Sequence, residues 1–330
     1  MTLKEVADRA GVSIATASRA LNKPGVVQEA TRRRVLQAVK ELHYRPNRFA
    51  QSLAGGRTNA LGVIVSNIEN PFFLDILHSL EEEGVRRGYE LIYENTDYRP
   101  DRLLAAVERM LGRPLAGLAL IVSEQNDEAL AMLEDWNQPV VLFDSDRAPA
   151  FGVSIELRYE KAMQRTVEYL YSLGHRRMAF VGHHGALDPL RERENSFSAT
   201  VSGFPDVESA TAAGSDSLAG GRQAMQQLLA SGFRPTAVIC ANDFMAIGVL
   251  REIREAGLSV PGDVSVTGFD NIELSEYLYP ALTTVNIPRQ RIGQLIFHAL
   301  VPPEGAERAS RPIVIEPELV LRDSTAPPRR

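Results

Sequence analysis

Apolar residues recur along this chain at two periods. Leu3, Val6, Ala7 and Ala10 stand three and four apart, the spacing of one helix face. Thr2 and Glu5 are placed to cap that helix reciprocally, each side chain accepting from the other's backbone N–H. Gly11 supplies the positive φ that ends a helix without strain. Ser13 then caps a second helix, whose Val12, Ala17, Ala20 and Leu21 face inward. Residues 28–42 predict a third helix, opened by the weak cap Gln28. Residues 47–54 predict a short fourth, too short to be stable alone and followed by a flexible Gly55-Gly56 linker. From residue 59 the rhythm changes. Continuous apolar runs at 61–65, 90–93, 117–122, 140–143, 178–181, 237–240 and 264–268 alternate with amphipathic stretches at 73–87, 101–111, 159–173, 221–230 and 246–256. Strand alternating with helix predicts parallel sheets covered on both faces. The length of this part suits two such lobes, and the pattern restarts at Met178.

Charge divides the chain at the same place. Residues 1–58 hold eleven Lys and Arg against four Asp and Glu, a balance of +7. The whole chain is −6, so the remainder carries −13. A basic head on an acidic body assigns nucleic-acid affinity to the head. The helix, turn, helix order of that head is the arrangement whose second helix enters the major groove of duplex DNA. On that helix Ile14, Ala15 and Arg19 are the positions to meet base edges. Arg19 can bridge guanine O6 and N7, worth roughly 1–3 kcal/mol of discrimination, and Ile14 and Ala15 can touch thymine methyls. Thr2, Ser13, Thr16, Ser18, Asn22 and Tyr44 suit phosphate oxygens or the polar outer face. In 47–54, Asn47, Arg48 and Ala50 extend the DNA-facing set, and the exposed apolar Leu53 suits a wedge between base pairs in the minor groove.

The segments Val12-Ser-Ile-Ala-Thr-Ala-Ser-Arg-Ala-Leu-Asn22 and Tyr44-Arg-Pro-Asn-Arg-Phe-Ala-Gln-Ser-Leu-Ala54 together resemble the lactose-repressor/galactose-repressor (LacI/GalR) family of bacterial transcription regulators. Gly268-Phe-Asp-Asn271 and Tyr279-Pro-Ala-Leu-Thr-Thr-Val285 continue the likeness through the body. The resemblance implies an α/β protein with an all-α helix-turn-helix DNA-binding domain at 1–46, a hinge helix and linker at 47–58, and a two-lobed, periplasmic-binding-protein-like body at 59–330 for effector binding and dimerisation. One lobe is expected at 59–157 plus 288–322 and the other at 158–287. Leu53 from both subunits of a dimer is implied to enter the minor groove. Phe72, Phe73, Arg193, Asn242 and Asp270 are implied to touch an effector, a sugar, sugar phosphate or purine. Asp216 is a weaker carry-over, because the segment 202–215 is short. Where the family commonly shows Asp-Asn before the helix at 159, this chain reads Glu156-Leu-Arg-Tyr159, so an unusual effector or response is expected.

The residues themselves point to the same loops, since ligands of open α/β sheets bind beyond the carboxyl ends of strands and between lobes. Asn70-Pro-Phe-Phe73, Asn242-Asp243 and Asp270-Asn271 each follow an expected strand. Three function classes stay open on sequence: a ligand-responsive DNA-binding regulator, a solute-binding protein and an α/β enzyme. No Ser-His-Asp set or phosphate loop is visible, so no catalytic residue and no cofactor is expected. His183-His184 point to opposite faces of a strand, which disfavours a metal site. Cys240 reads as core, and His175 as a residue favourable to a helix C-terminus. No signal peptide or membrane span is seen, so a cytoplasmic chain is expected. One helix-turn-helix buries little surface. The partners expected are therefore a second copy of the chain, a near-palindromic operator and a small-molecule effector. The polar end, Arg322 to Arg330, lacks a heptad tail for tetramers.

Overall fold

A computed structural model describes residues 1–22, 24–44, 58–144, 152–183, 188–302 and 312–329. Two compact units, Met1–Thr58 and Asn59–Arg330, are built on different periods.

In the first unit α1 (Leu3–Ala10), α2 (Ile14–Asn22) and α3 (Glu29–Glu41) bury Val6, Ala7, Ala10, Ala17, Ala20, Val35 and Ala38. The small residues let three short helices approach closely around a core of few atoms. Thr2 Oγ1 accepts from Glu5 N at 3.3 Å, and Glu5 Oε2 accepts from Thr2 N at 2.9 Å, the expected reciprocal cap. Gly11 ends α1 at φ 65°. Gln28 opens α3 with no side-chain hydrogen bond. Arg9 makes a two-pronged contact to Glu41, tying α1 to α3 at 2.6 and 2.8 Å. The expected sites Asn47, Arg48, Ala50 and Leu53 lie outside the described residues.

The second unit contains two six-stranded sheets. The first holds β1 (Ala60–Val65), β2 (Glu90–Asn95), β3 (Gly117–Ile121), β4 (Val140–Phe143), β5 (Val153–Leu157) and β11 (Ile313–Ile315), ordered β11-β5-β4-β3-β1-β2 and wholly parallel. The second holds β6 (Arg177–His183), β7 (Glu208–Gly214), β8 (Ala237–Cys240), β9 (Ser265–Asp270), β10 (Thr283–Asn286) and β12 (Glu318–Val320), ordered β12-β10-β9-β8-β6-β7. Only β12 runs antiparallel there. The central strands are apolar on both faces because helices cover both. In β1, Leu61, Val63 and Val65 enter one core while Ile64 enters another. In β4, Val141 and Phe143 part from Val140 and Leu142 in the same way, the alternation of side chains across a strand.

The connecting helices are α4 (Pro71–Arg86), α5 (Pro100–Leu111) and α6 (Asp127–Glu134) on the first lobe, and α7 (Tyr159–Ser172), α8 (Asp188–Ser202), α9 (Leu218–Ala230), α10 (Asp243–Glu255) and the short α11 (Leu274–Tyr277) on the second. Helix α12 (Arg289–Leu300) packs on α4 and so returns to the first lobe. The chain crosses between lobes three times: before α7, before α12 and before β12.

Two expectations are corrected here. The first lobe does not run to residue 322. β12 hydrogen-bonds β10, and Ser324 Oγ bridges Thr283 N and Val266 O in the second sheet, so the tail belongs to the second lobe. His175 is not a charged group at a helix end. It is buried (1 % exposed), with Nδ1 on Thr236 Oγ1 and Nε2 on the Ala326 carbonyl, each at 3.0 Å. Burial pushes its pKa down and the neighbouring Arg176 adds to that, against the carbonyl contact. It pins the carboxyl-terminal tail as a neutral ring.

Candidate functional site

In the amino-terminal unit, helix α2 leaves Ile14, Ala15 and Arg19 exposed, with Ile14 at 49 %. Ile14 thus presents an apolar side chain of the kind that can touch a base methyl. Ser13 Oγ accepts from Thr16 N at 3.1 Å and contacts Thr16 Oγ1 at 2.9 Å. It is therefore the N-cap that aims the start of α2. Thr16 and Ser18 are half-buried, not fully outward. Tyr44 packs partly buried on the helical core, Thr2 is exposed at the opening of α1, and Asn22 closes α2.

In the body, strand ends from both lobes meet across one cleft. Its enclosed space is only about 30 Å³, so the lobes stand nearly closed on it. Phe72 and Phe73 reach it from the start of α4, where Asn70 caps the helix by accepting from Phe72 N at 3.1 Å. Pro71 sits at the first helical position, where no N–H is needed. Phe72 and Phe73 stand edge to face, centroids 5.2 Å apart. Asn242 caps α10 through Met245 N at 2.8 Å. Asp270 ends β9 with φ 100°, and Asn271 follows at φ 54°. Such φ values cost a non-glycine residue of order 1–3 kcal/mol and cluster where function holds them. All five expected effector residues, Phe72, Phe73, Arg193, Asn242 and Asp270, line this one cleft.

Arg193 projects from α8, which separates β6 from β7. Its guanidinium lies between the Tyr159 and Phe269 rings, 4.5 and 4.4 Å from their centroids. It donates to the Ala241 carbonyl at 2.5 Å and to Tyr159 Oη at 3.2 Å. Asp270 Oδ1 stands 3.6 Å away. Arg193 Nε and Asp270 Oδ1 are both buried with no hydrogen-bond partner among the described residues. Burial holds the Asp270 pKa well above the ordinary carboxylate value. Arg193 opposes that, Asp243 reinforces it, Arg289 opposes it and Asp216 reinforces it.

Five residues that join the lobes, Asp216, Tyr98, Asn67, Tyr159 and Asp144, were missed or underweighted in sequence. The Asp216 carboxylate accepts from Asn242 Nδ2 at 2.6 Å within its own lobe. Across the cleft it accepts from Asn70 Nδ2 at 3.3 Å and from Tyr98 Oη. Its carbonyl accepts from Asn67 Nδ2 at 3.4 Å. Tyr159 donates from the second lobe to Asp144, which ends β4 in the first. Asp144 and Tyr98 have φ of 58° each. Tyr159 carried a signal as part of the unusual 156–159 stretch and Asp216 as a weaker carry-over, whereas Tyr98, Asn67 and Asp144 carried none. Among the described residues no cluster of His, Cys, Asp or Glu has the geometry of a metal site. His184 lies outside them.

A two-lobed α/β receptor with a cleft of this kind, on a chain that begins with a helix-turn-helix, defines a ligand-sensing regulator by its architecture. Residues 167–325 match the model of the periplasmic binding protein-like domain, and residues 2–47 that of the bacterial regulatory proteins, lacI family. The chain is 35% identical to the HTH-type transcriptional repressor PurR of Erwinia tasmaniensis over 331 residues, covering 98% of this chain and 97% of that one. Its fold matches the lac repressor dimer bound to operator and the anti-inducer ONPF with TM-score 0.84 and 29% identity, covering 99% of each chain. A LacI family transcriptional regulator from Enterococcus faecium with bound ribose matches with TM-score 0.71 and 25% identity, over 82% of this chain and 100% of that one. The chain belongs to the lacI family of bacterial regulatory proteins. It is a DNA-binding transcriptional regulator that responds to a small molecule, and it is not an enzyme.

Proposed function

We propose that residues 1–46 hold one half-site of a near-palindromic operator, that 47–58 form a hinge helix on DNA, and that 59–330 dimerise and sense a metabolite of the sugar or nucleobase class. In this reading the protein represses transcription in the cytoplasm. Among the described residues no helix is long and apolar enough to cross a membrane. Ile14, Ala15 and Arg19 read bases. Thr2, Ser13, Thr16, Ser18, Asn22, Tyr44, Asn47, Arg48 and Ala50 position the domain on the backbone, and Leu53 wedges the minor groove. Phe72, Phe73, Arg193, Asn242 and Asp270 hold the effector.

The observation that carries this reading is convergence. Five side chains from both lobes, on separate stretches of sequence, line one cleft, so a ligand there biases how the lobes stand. A ligand changes DNA affinity only by binding two lobe arrangements unequally, with coupling typically about 1–3 kcal/mol. The test is a binding-site selection on a randomised duplex pool with wild type and Arg19→Ala. Wild type is expected to enrich a two-fold-related sequence, and Arg19→Ala to lose preference at one base pair per half-site. An unenriched pool, or identical sequence logos, refutes the assignment.

A further inference from the structure

The same cleft carries information about the charge of its ligand. A second small cavity, about 30 Å³, adjoins the first through Val122, Ser123, Phe143 and Asp144, and reaches the buried Glu124. Among the described residues lining the two, the ionisable side chains are Asp144, Asp216, Asp270 and Glu124 against Arg193 alone, with the phenol of Tyr98 beside them. Arg193 donates to the Ala241 carbonyl and Tyr159 Oη and stands 3.6 Å from Asp270, and its Nε alone is left without a partner among the described residues. Glu124 accepts from Ser66 Oγ at 2.6 Å and from Thr96 Oγ1. Asp270 Oδ1, on a residue only 2 % exposed, accepts from nothing among the described residues.

An anion is ordinarily received by the free N–H groups of a helix N-terminus. Among the described helix starts beside this cleft, three offer poor ones. Helix α4 is capped by Asn70 and opens with Pro71, α9 is capped by Ser217 through Gly220 N, and α10 is capped by Asn242 and has Asp243 in its first turn. Each start thus has a side-chain oxygen, and in α10 also a carboxylate, where a phosphate or carboxylate group needs donors.

We propose that the effector is rich in hydrogen-bond donors, carries no anionic group, and presents a protonated amine to Asp270 and the carboxylates around it. The inference rests on the cleft being the effector site. Asp270 Oδ1 lacks a donor, which an ammonium or hydroxyl supplies and an ionised phosphate does not; an ammonium also favours the carboxylate form, whose oxygens offer lone pairs only.

The test uses the full-length protein and two matched sets: glucose, glucosamine and glucose 6-phosphate; adenosine, 5′-amino-5′-deoxyadenosine and AMP. Isothermal titration calorimetry measures each, with wild type, Asp270→Asn and Asn242→Ala. On a scaffold that binds, the amine is expected at least tenfold tighter than the neutral parent, and the phosphate at least tenfold weaker. Asp270→Asn, which keeps the side-chain shape, is expected to narrow the amine-to-neutral ratio to below threefold. Cleft binding that favours the phosphate, or an amine no tighter than its parent, overturns this inference alone. Binding that neither substitution alters overturns the cleft as the site, and silence from all six probes counts against both.

Discussion

Replacing Asp216 by alanine is expected to open the cleft. Its carboxylate accepts two hydrogen bonds from the opposite lobe, from Asn70 Nδ2 and Tyr98 Oη. A hydrogen bond to a charged group is worth roughly 1.5–3 kcal/mol net. The lower end is the better guide, because opening returns both partners to water. Two such bonds amount to about 3 kcal/mol, or about a hundredfold in the open-to-closed ratio. The Asn67 contact to the Asp216 carbonyl and the Tyr159–Asp144 pair survive the substitution, so the expected result is a mixed population. Tyr98→Phe removes one of the two bonds and is expected to move the ratio about tenfold. Electron–electron resonance between two spin labels reads the interlobe distance directly, with one label on each lobe. The labels attach to cysteines introduced by Glu128→Cys on α6 and Gln227→Cys on α9, where both native side chains are exposed. The native thiol of Cys240 is buried, and that burial raises its pKa, so it does not compete for label. A distance distribution identical to wild type in Asp216→Ala refutes the latch. So does a double mutant with Tyr98→Phe that opens further than Asp216→Ala alone, since the tyrosine then acts through some other partner.

Two further outcomes follow from the packing beneath the cleft. Asp243 is fully buried, and burial pushes its pKa up to about 7 against hydrogen bonds from Thr284 and Ile272 and the charges of Arg289 and Arg322. A raised carboxyl pKa stabilises the folded chain at low pH and loses that contribution as pH rises through 7. Between pH 5.5 and 8 its share is about 2 kcal/mol. Asp243→Asn is expected to flatten the fall in urea-unfolding free energy over that interval by this amount, and an unchanged pH slope contradicts the assignment. Gly248 lies where α10 crosses α9, and a Cβ there stands 2.0 Å from the Leu218 carbonyl oxygen. Gly248→Ala is expected to cost about 3 kcal/mol by overpacking and to weaken ligand binding, because Asn242 caps α10 and Asp216 directly precedes the start of α9; a urea midpoint within error of wild type rejects the close approach.

The parts of this protein that repeat a simple period were legible in sequence, and the parts that depend on a distant partner were not. Strands β1, β3, β4 and β8 read as apolar runs because helices cover both of their faces. β7, Glu208–Gly214, shows the burial of an edge strand and has no such run. β11 and β12 are three residues each and exist only through β5 and β10. The polar tail shows no sign in sequence of its partners, yet Ser324 and Ala326 are fastened to Thr283, Val266 and Ser265. Asn70 and Asn242 were visible because a cap is a local device. Tyr98 and Asp144 were not, because their partners, Asp216 and Tyr159, lie 118 and 15 residues away on the other lobe.

Strain and buried charge gather in one place for a common reason. Asp144, Asp270 and Asn271 hold positive φ, Asp216 and Asp270 are buried at the second lobe's side of the cleft, and Asp243 is buried beneath it. Each such feature lowers stability, so a chain selected for stability alone would discard them. Arg289 links one of these strained positions to the other lobe. Its Nε donates to Asp75 on α4 at 2.8 Å, and the same guanidinium donates to the Asp270 carbonyl. A ligand that engages the Asp270 carboxylate therefore acts on a strained residue whose backbone is tied through one arginine to the helix that carries Phe72 and Phe73. Relief of that strain in one lobe arrangement and not in the other is a difference in free energy between two states, and such a difference is what a sensing domain must supply.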